Sequence, residues 1–360
     1  MKLPYTEKNV VGKAVEALYD ILRKVPAVVV EAIEKEMQLA DRPRGDIALH
    51  IRYANRPYTL LCEVKLNGQP RHARIASLLL RDWSTRMDRD VIPVFIAPYL
   101  SPESRAICEE YDVGFLDLMG NMRIVFDAVF IDREVADKPV SERRSLQSVF
   151  SPRAARMLRI MLRDPSRPWR VQDLASAADI SIGHVSNVRK ALFDREWAEK
   201  TSEGVFLSDP DALLDVWRDV YTRPKGQRLG YYTLLHGKAL DDAVQKAFSQ
   251  KPKQENMVFA SFSAARWLAP YARIGTDYFY ADEEGLERLR ETLNLTPISS
   301  GENVVIRMPK DAGVFLDSIE PAPGIRCTSD AQTYLDLYAS GERGVEAAEH
   351  LREERLEWRK

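Results

Sequence analysis

The sequence predicts a multidomain protein that combines an α/β domain with regions of the α+β class. Its 360 residues exceed the roughly 250 over which a single hydrophobic core usually grows. Apolar runs of strand length alternate with helical periodicity in the first third, and two polar stretches, at 132–152 and 222–227, read as linkers. We therefore predict three domains, at residues 1–135, 150–222 and 228–360.

Charge and cysteine content narrow the class of protein. The formal net charge is −2 at pH 7, so any surface for nucleic acid must be a local patch. Cys62, Cys108 and Cys327 form no CxxC pair, which suits a reducing cytosol. The start lacks the apolar run of a signal peptide, and no stretch approaches the ~18 apolar residues of a membrane span. We therefore expect a cytoplasmic protein with no membrane partner.

The first domain reads as helix, three-strand meander, helix, strand, helix, strand. The first helix is predicted over 9–24, and the meander at 27–33, 46–53 and 59–66. This order predicts a mixed sheet. The second helix, predicted over 70–86, carries an apolar stripe with arginines around it. The stripe consists of Ile75, Leu78, Leu79 and Trp83.

Two acids and a lysine lie on the second and third strands of the meander. Strand periodicity puts Glu63 and Lys65 on one face. With the turn centred near Arg56, Asp46 is expected opposite Lys65 or Leu66. Glu63 is then one diagonal away, within ~7–8 Å between Cα atoms. Two carboxylates at that separation can share one Mg²⁺.

These residues predict the chemistry of a metal-dependent nuclease. Asp46 and Glu63 are the candidate metal ligands, with the Val64 carbonyl as a third. Lys65 would orient a metal-bound water for attack on a phosphodiester, or help to deprotonate it while the metal lowers its pKa. Glu16 on the first helix is the candidate to complete the site. The alternative is a chance acid-x-lysine on a solvated strand face, without catalytic role.

The element order, Asp46 and Glu63-x-Lys65 resemble the PD-(D/E)xK, or restriction-endonuclease-like, nucleases over residues 10 to about 130. The resemblance implies a restriction-endonuclease-like mixed sheet, and Mg²⁺ as cofactor if the site is active. Gly45 stands where that family often has proline. Because a fold does not carry its function with it, an active and an inactive nuclease site both stay open.

The second domain begins in an arginine-rich stretch and continues with a short helix over 171–178. A second helix follows over 182–197, capped by Ser181, and then a hairpin over 200–207. Three helices and a hairpin at this spacing describe a winged helix-turn-helix. The arginines are Arg143, Arg144, Arg153, Arg156, Arg159, Arg163, Arg167 and Arg170, opposed only by Asp164.

The second of these helices carries side chains suited to double-stranded DNA. Small and polar residues at its start can enter the major groove, and basic residues further along can contact phosphates. The predicted DNA-binding residues are Ser181, His184, Ser186, Asn187, Arg189, Lys190, Arg153 and Arg156. The alternative is a winged helix that serves protein contacts.

Short segments at 67–71, 115–121, 262–267, 333–337 and 341–351 resemble the AbiEi-like family. Members are grouped with the antitoxins of type IV toxin–antitoxin systems and act as transcriptional regulators. The resemblance implies a C-terminal domain related to nucleotidyltransferases. The sequence between 228 and 345 lacks the Gly-Ser element and paired aspartates of that activity, so we predict a non-catalytic domain.

The resemblances imply a DNA-binding transcriptional regulator, antitoxin-like, of a toxin–antitoxin or phage-defence system. Its implied partners are double-stranded DNA and a cognate toxin. The alternative is a Mg²⁺-dependent DNA endonuclease that uses Asp46, Glu63 and Lys65. The DNA sequence that is recognised and the oligomeric state stay open.

Overall fold

A computed structural model describes residues 6–39, 42–87, 90–249, 256–271, 274–356 and 358. The chain forms two compact units, of which the first comprises Met1–Arg143 with Phe193–Glu196. The second comprises Arg144–Leu192 with Trp197–Lys360. Each unit contains a mixed seven-stranded sheet, which confirms the prediction of a multidomain protein of mixed α/β class.

The first unit is built on a sheet whose seven strands lie in chain order. Its first three strands are antiparallel, the third, fourth and fifth are parallel, and the last three are antiparallel. The predicted order of elements is therefore present. The elements are α1 (Glu7–Leu22), β1 (Val28–Leu39), β2 (Arg42–Tyr53), β3 (Arg56–Val64), α2 (Pro70–Ser84), β4 (Val91–Ala97), α3 (Pro102–Glu110), β5 (Gly114–Asp117), β6 (Met122–Phe126), β7 (Val129–Arg133) and α4 (Val140–Val149), the last extending past Arg143.

Helices cover both faces of this sheet. On one face, Ala14 and Leu18 of α1 pack with Cys62 and Val64 of β3 in one apolar cluster. On the other face, Leu61 packs with residues of α2 and α3 in a second cluster. Because both faces are covered, β3 is buried from Tyr58 to Val64.

The hairpin between β2 and β3 corrects the predicted register. Tyr53 pairs with Arg56, so the turn consists only of Ala54 and Asn55. Both have positive φ, 47° and 65°, as a two-residue type I′ turn requires. The predicted turn centred near Arg56 is wrong, because Arg56 already belongs to β3.

Helix α2 presents a different face to the core from the one its apolar stripe indicates. Small residues such as Ala73 and Ala76 are fully buried against the sheet. Of the stripe, only Trp83 is buried, and Ile75 and Leu78 are 46% and 51% exposed. Small side chains allow the helix axis to lie close to the sheet, so packing distance outweighs residue hydrophobicity here.

The predicted linker at 132–152 is not free of regular structure. It contains the end of β7 and the ten-residue helix α4, whose Leu146 and Val149 are buried. The polar composition of this segment reflects the exposed side of a short amphipathic helix.

The second unit begins with helices and continues into the second sheet. Its strands lie in the order β13-β10-β14-β12-β11-β16-β15. The elements are α5 (Pro152–Arg163), α6 (Val171–Ala177), α7 (Ile182–Asp194), β8 (Ala198–Lys200), β9 (Val205–Leu207), α8 (Pro210–Val220), β10 (Gly226–Tyr232), α9 (Lys238–Ser249), β11 (Met257–Phe259), α10 (Ser261–Leu268), β12 (Asp277–Ala281), α11 (Glu283–Leu293), β13 (Thr296–Pro297), β14 (Val304–Pro309), α12 (Gly313–Leu316), β15 (Ile319–Ala322), β16 (Ile325–Cys327), α13 (Asp330–Tyr338) and α14 (Glu342–Arg355).

Helices α5, α6 and α7 are followed by the antiparallel hairpin of β8 and β9, in the predicted order. The hydroxyl of Ser181 accepts a hydrogen bond from the His184 N–H at 3.2 Å, which confirms the predicted cap of α7. Trp169 pairs with Val205 and so adds an isolated bridge to the hairpin. The inward side of α7 is buried.

A buried ion pair joins the two predicted C-terminal domains within one unit. The Arg159 guanidinium of α5 lies 2.9 Å from the Asp317 carboxylate, and the two side chains are only 3% and 1% exposed. Arg159 also donates to the Gly313 carbonyl at 2.6 Å and to Gln332 at 3.2 Å. Residues 150–192 and 197–222 therefore belong to the same compact unit as residues 228–360.

Candidate functional site

The tight hairpin brings Asp46 level with Glu63. The ladder pairs Ile47 with Cys62, so the next position along it sets Asp46 opposite Glu63. One Asp46 carboxylate oxygen accepts a hydrogen bond from the Val64 N–H at 2.7 Å. The predicted offset, with Asp46 opposite Lys65 or Leu66, is therefore wrong. The correction places the two carboxylates closer together than the sequence indicated.

Glu63 is a buried acid with an unsatisfied oxygen. Its side chain is 6% exposed, and one carboxylate oxygen forms an ion pair with the Lys65 ammonium. The other oxygen, Oε2, is buried and has no hydrogen-bond partner. A buried polar atom without a partner costs roughly 1–3 kcal/mol, which a bound cation would offset. The alternative of a solvated strand face does not apply to Glu63.

The ionisation of this cluster is shifted by burial and by neighbouring charges. Burial raises the pKa of the Glu63 carboxyl, and the negative charge of Asp46 adds to the rise, although the hydrogen bond from Lys65 opposes it. Burial lowers the pKa of Lys65, but the hydrogen bond and charge of Glu63 outweigh it, so the pKa of Lys65 is raised. Lys65 therefore remains a cation at neutral pH, which favours the orienting role over that of a base.

An acid of α1 that was not predicted makes a small electrostatic contribution to this site. The negative charge of Glu7, the first residue of α1, affects both Glu63 and Lys65. Glu16 lies nine positions after Glu7, which corresponds to about two and a half turns of helix. Glu16 therefore projects from the side of α1 opposite Glu7, and its side chain is exposed. The sequence feature that could have indicated Glu7 is its position in the first turn of α1, directly after the capping residue Thr6.

The side chains near Glu63 offer few ligands for a metal ion such as Mg²⁺. Among the residues that the structure describes, no group of three or more His, Cys, Asp or Glu side chains is arranged to hold a metal ion. Mg²⁺ usually retains several waters and takes only one or two carboxylates from the protein. Asp46 and Glu63, whose Oε2 has no hydrogen-bond partner, offer two carboxylates of that kind.

We expect Glu63→Gln to stabilise the protein by about 1 kcal/mol at pH 7, because it removes a buried charge, while the half-exposed Lys65 stays solvated without its partner. The folded-state pKa of Glu63 is raised, so protonation favours the fold. Its stabilising contribution is present below the unfolded pKa, near 4.3, and is lost as pH rises through the folded pKa. The gain of the variant should therefore shrink as pH falls toward 4. Thermal unfolding between pH 4 and 8 measures it.

Glu16→Gln is the matched control for this prediction, because it removes the same charge from an exposed position. Its unfolding midpoint should follow that of the wild type at every pH. A Glu63→Gln variant less stable than the wild type at pH 7 would contradict the cost that we assign to the buried carboxylate.

A groove of about 740 Å³ is lined by residues of α5, α6 and the start of α7 in the second unit. Four of the predicted DNA-binding residues line it together: Arg153, Arg156, Ser181 and His184. The Nε2 atom of His184 is buried and has no hydrogen-bond partner. Gln172 of α6 also lines the groove and was not among the predicted DNA-binding residues. Its polar side chain, two positions before the buried Leu174, could have indicated an outward-facing residue of α6.

The remaining predicted residues of α7 lie on its outward side. Ser186 and Arg189 are half-buried, whereas Asn187 and Lys190 are exposed. Val185, which lies between Ser186 and the groove residue His184 in sequence, is fully buried. Helical periodicity thus separated the inward from the outward residues correctly.

The arginine-rich stretch contributes less free charge than its composition indicates. Arg156 donates to Asp311 at 3.0 and 2.9 Å and to Asp179 at 3.2 Å, and Arg159 is buried in its own pair. Arg153 is exposed and forms no ion pair with any residue that the structure describes. Arg153 is therefore better placed than Arg156 to meet a phosphate.

Residues 206–357 match the model of the AbiEi_2 family, described as a transcriptional regulator, AbiEi antitoxin, of the type IV toxin–antitoxin system. The resemblance to the AbiEi-like family is confirmed for this region. The match starts within β9 and covers the whole second sheet of the chain. No curated protein matches the chain.

Solved structures of endonucleases are similar to about a third of the chain. EndoMS in its apo form is 18% identical, with a TM-score of 0.21, and covers 32% of this chain. EndoMS in complex with double-stranded DNA is 13% identical, with a TM-score of 0.25 over 33% of this chain. A repair endonuclease from Pyrococcus abyssi is 11% identical, with a TM-score of 0.24. The chain covers less than half of these structures, from 46% to 49% of their length.

No helix in the described part of the chain could cross a membrane.

Proposed function

We propose that this protein is a DNA-binding transcriptional regulator of the antitoxin type, acting in the cytoplasm in a toxin–antitoxin or phage-defence system. The observation that carries the proposal is the match of residues 206–357 to the AbiEi_2 family. The groove lined by Arg153, Ser181 and His184 supplies a surface for DNA in the same unit. A cognate toxin is the protein partner that the family description suggests.

We interpret α5, α6, α7 and the β8–β9 hairpin as a winged helix-turn-helix, with α7 as the helix that enters the major groove. Ser186 and Asn187 lie on its outward side, where they can reach base edges. Arg153 adds a phosphate contact beside its start. Phosphate contacts fix the register of such a domain on DNA, and base contacts give it sequence preference.

We interpret the second sheet and its helices as a nucleotidyltransferase-like domain without catalytic activity. Asp277 accepts a hydrogen bond from the Ser263 hydroxyl at 2.9 Å and is 9% exposed. Asp282 caps α11 by accepting from the Gly285 N–H at 2.8 Å. Both aspartates therefore have structural partners, which supports a role in binding a partner rather than in catalysis.

Arg153→Ala should weaken binding to the DNA upstream of the protein's own gene and lower the salt dependence by about one phosphate contact. The loss should be similar for every sequence, because a phosphate contact carries no base information. Asn187→Ala should instead reduce the preference for that DNA over unrelated DNA. Gel-shift titrations from 50 to 200 mM salt distinguish the two effects.

Arg290→Ala is the control, because Arg290 is an exposed arginine of α11 paired with Glu287 at 2.9 Å. It should leave both affinity and salt dependence unchanged. Wild-type protein that shows no preference for its upstream DNA would refute the regulator. An Arg153→Ala variant that binds like the wild type would refute the assigned groove.

A second candidate function, a Mg²⁺-dependent DNA endonuclease, is favoured by the buried and unpartnered Glu63 Oε2 beside Asp46. A Mg²⁺ ion bound there would neutralise phosphate charge and lower the pKa of a bound water. Asp46 and Glu63 would hold the ion. Lys65, as a cation ion-paired with Glu63, would orient the scissile phosphate or the attacking water.

A further inference from the structure

A cavity of about 350 Å³ opens on the second sheet of the protein, and neither proposed function uses it. Three arginines line it: Arg223, which precedes β10, Arg228 on β10 and Arg307 on β14. Hydroxyl groups of Ser261 and Ser340 lie at its wall. Its size falls within the range of sites that bind small molecules.

Two of these arginines are direct neighbours across adjacent strands. Arg228 pairs with Arg307 in the antiparallel ladder of β10 and β14, so both side chains stand on the same face. Tyr280 of β12 pairs with Arg307 on its other side. Like charges in directly opposed positions are destabilising unless an opposite charge compensates them.

The compensation inside the protein is incomplete. Arg228 forms an ion pair with Glu302. Arg223 is held by the Asp336 carbonyl and the Ser340 hydroxyl, which are neutral acceptors. Arg307 makes no hydrogen bond and no ion pair with any residue in the described part of the chain. Asp336 also lines the cavity, and its carboxylate accepts hydrogen bonds from the Tyr221 and Tyr280 hydroxyls. The three arginines therefore face two acids, Glu302 and Asp336, and the positive charge of Arg307 is the one left over.

The wall opposite the sheet adds hydrogen-bond donors. Ser261 is the first residue of α10, is 7% exposed, and its hydroxyl has no partner among the described residues. The preceding Ala260 provides no side-chain cap, and its carbonyl accepts from the Ser263 N–H. The N–H groups of Ser261 and Phe262 therefore remain as donors at the start of α10. Unsatisfied N–H groups and the positive end of the helix dipole favour an anion at this point.

We propose that this cavity binds the phosphate group of a nucleotide-sized phosphate ester. Arg307 and Arg223 supply charge-assisted hydrogen bonds to the phosphate oxygens, in the planar geometry that suits arginine. Ser261 and the start of α10 supply neutral donors. The cavity is larger than a bare phosphate needs, and the half-buried Tyr278 lines the space that remains. The same chemistry is found in a free nucleotide and at the 5′-phosphate end of a nucleic-acid strand.

Isothermal titration of the full chain tests this site with four probes: inorganic phosphate, a nucleoside monophosphate, and a single-stranded tetranucleotide with and without a 5′-phosphate. We expect saturable binding of the monophosphate, tighter than that of inorganic phosphate. Arg307→Gln should weaken it by tenfold or more, which is the usual effect of one charged hydrogen bond. Arg290→Gln, which removes the same charge from exposed α11, should bind like the wild type.

Thermal unfolding separates loss of binding from loss of fold. Arg307→Gln without ligand should melt at or above the wild-type temperature, because it removes an uncompensated cation. Binding of the tetranucleotide only in its 5′-phosphorylated form would identify a strand end as the source of the phosphate and support the site. Absence of saturable binding by all four probes, or equal affinity of Arg307→Gln and wild type, would overturn the proposal.

Discussion

Asp317→Asn is expected to destabilise the second unit by about 3–5 kcal/mol, the usual cost of removing one partner from a buried ion pair. The substitution leaves the Arg159 guanidinium charged and 3% exposed. Its remaining acceptors, the Gly313 carbonyl and the Gln332 side chain, are neutral. The cost is far above that of an ordinary surface substitution because no water can replace the lost carboxylate.

Urea unfolding followed by tryptophan fluorescence measures this loss, since all tryptophans except Trp83 lie in the second unit. Glu287→Gln breaks an exposed pair with Arg290 and should cost less than about 1 kcal/mol. The double variant Arg159→Met with Asp317→Leu should recover much of the stability, because apolar residues can replace a buried pair. An Asp317→Asn midpoint equal to that of the wild type would contradict the structural role of the pair.

If the endonuclease is active, Glu63→Gln and Lys65→Ala should each lower Mg²⁺-dependent cleavage of plasmid DNA by about 100-fold or more. Glu63→Gln removes a candidate metal ligand, and Lys65→Ala removes the cation that forms an ion pair with it. One preorganised charged group typically contributes this much to a transition state. Cleavage is measured by conversion of supercoiled DNA to nicked and linear forms in Mg²⁺ and in Mn²⁺.

Glu16→Gln provides the control for cleavage and should retain wild-type activity, since Glu16 is exposed on α1. Loss of cleavage in the Glu16→Gln variant would indicate that Glu16, and not Glu7, contributes to the site. If the wild type and both site variants leave the DNA equally intact, the endonuclease proposal is refuted. The regulator would be unaffected by that outcome, because it rests on residues of the second unit.

Local periodicity was sufficient to predict the order of elements in the first unit. Helix 9–24 corresponds to α1 and strand 59–66 to β3, with ends displaced by two or three residues. The inward side of α7 was predicted equally well, because Val185, Val188 and Leu192 follow the helical repeat and are buried. These features depend on residues close together in the chain.

The register of the meander could not be predicted, because it depends on backbone conformation at two turn residues. Ala54 adopts a φ of 47°, which is uncommon for a residue with a Cβ, so its residue type does not indicate a turn at that position. Asn55 tolerates such angles more easily. The same limit explains why Glu63 was expected one diagonal from Asp46 instead of opposite it.

The arginine stretch failed as a measure of basic surface for another reason. The partners of Arg156 and Arg159 are Asp311 and Asp317, more than 150 positions later. Charge counts along a sequence cannot include such distant partners. Composition therefore overestimated the charge available to DNA, while Arg153, with no ion pair among the described residues, retains it.

The two-residue turn at Ala54 and Asn55 has a consequence for how this site can change over evolutionary time. Glu63 lies eight positions beyond Asn55, about 26 Å along an extended strand. One residue inserted in the turn would nevertheless shift the whole strand by one position and exchange its two faces. Asp46 would then meet a core residue, with both acids still present in the sequence. Among relatives, loop length is thus as informative about nuclease chemistry as the identity of the acids.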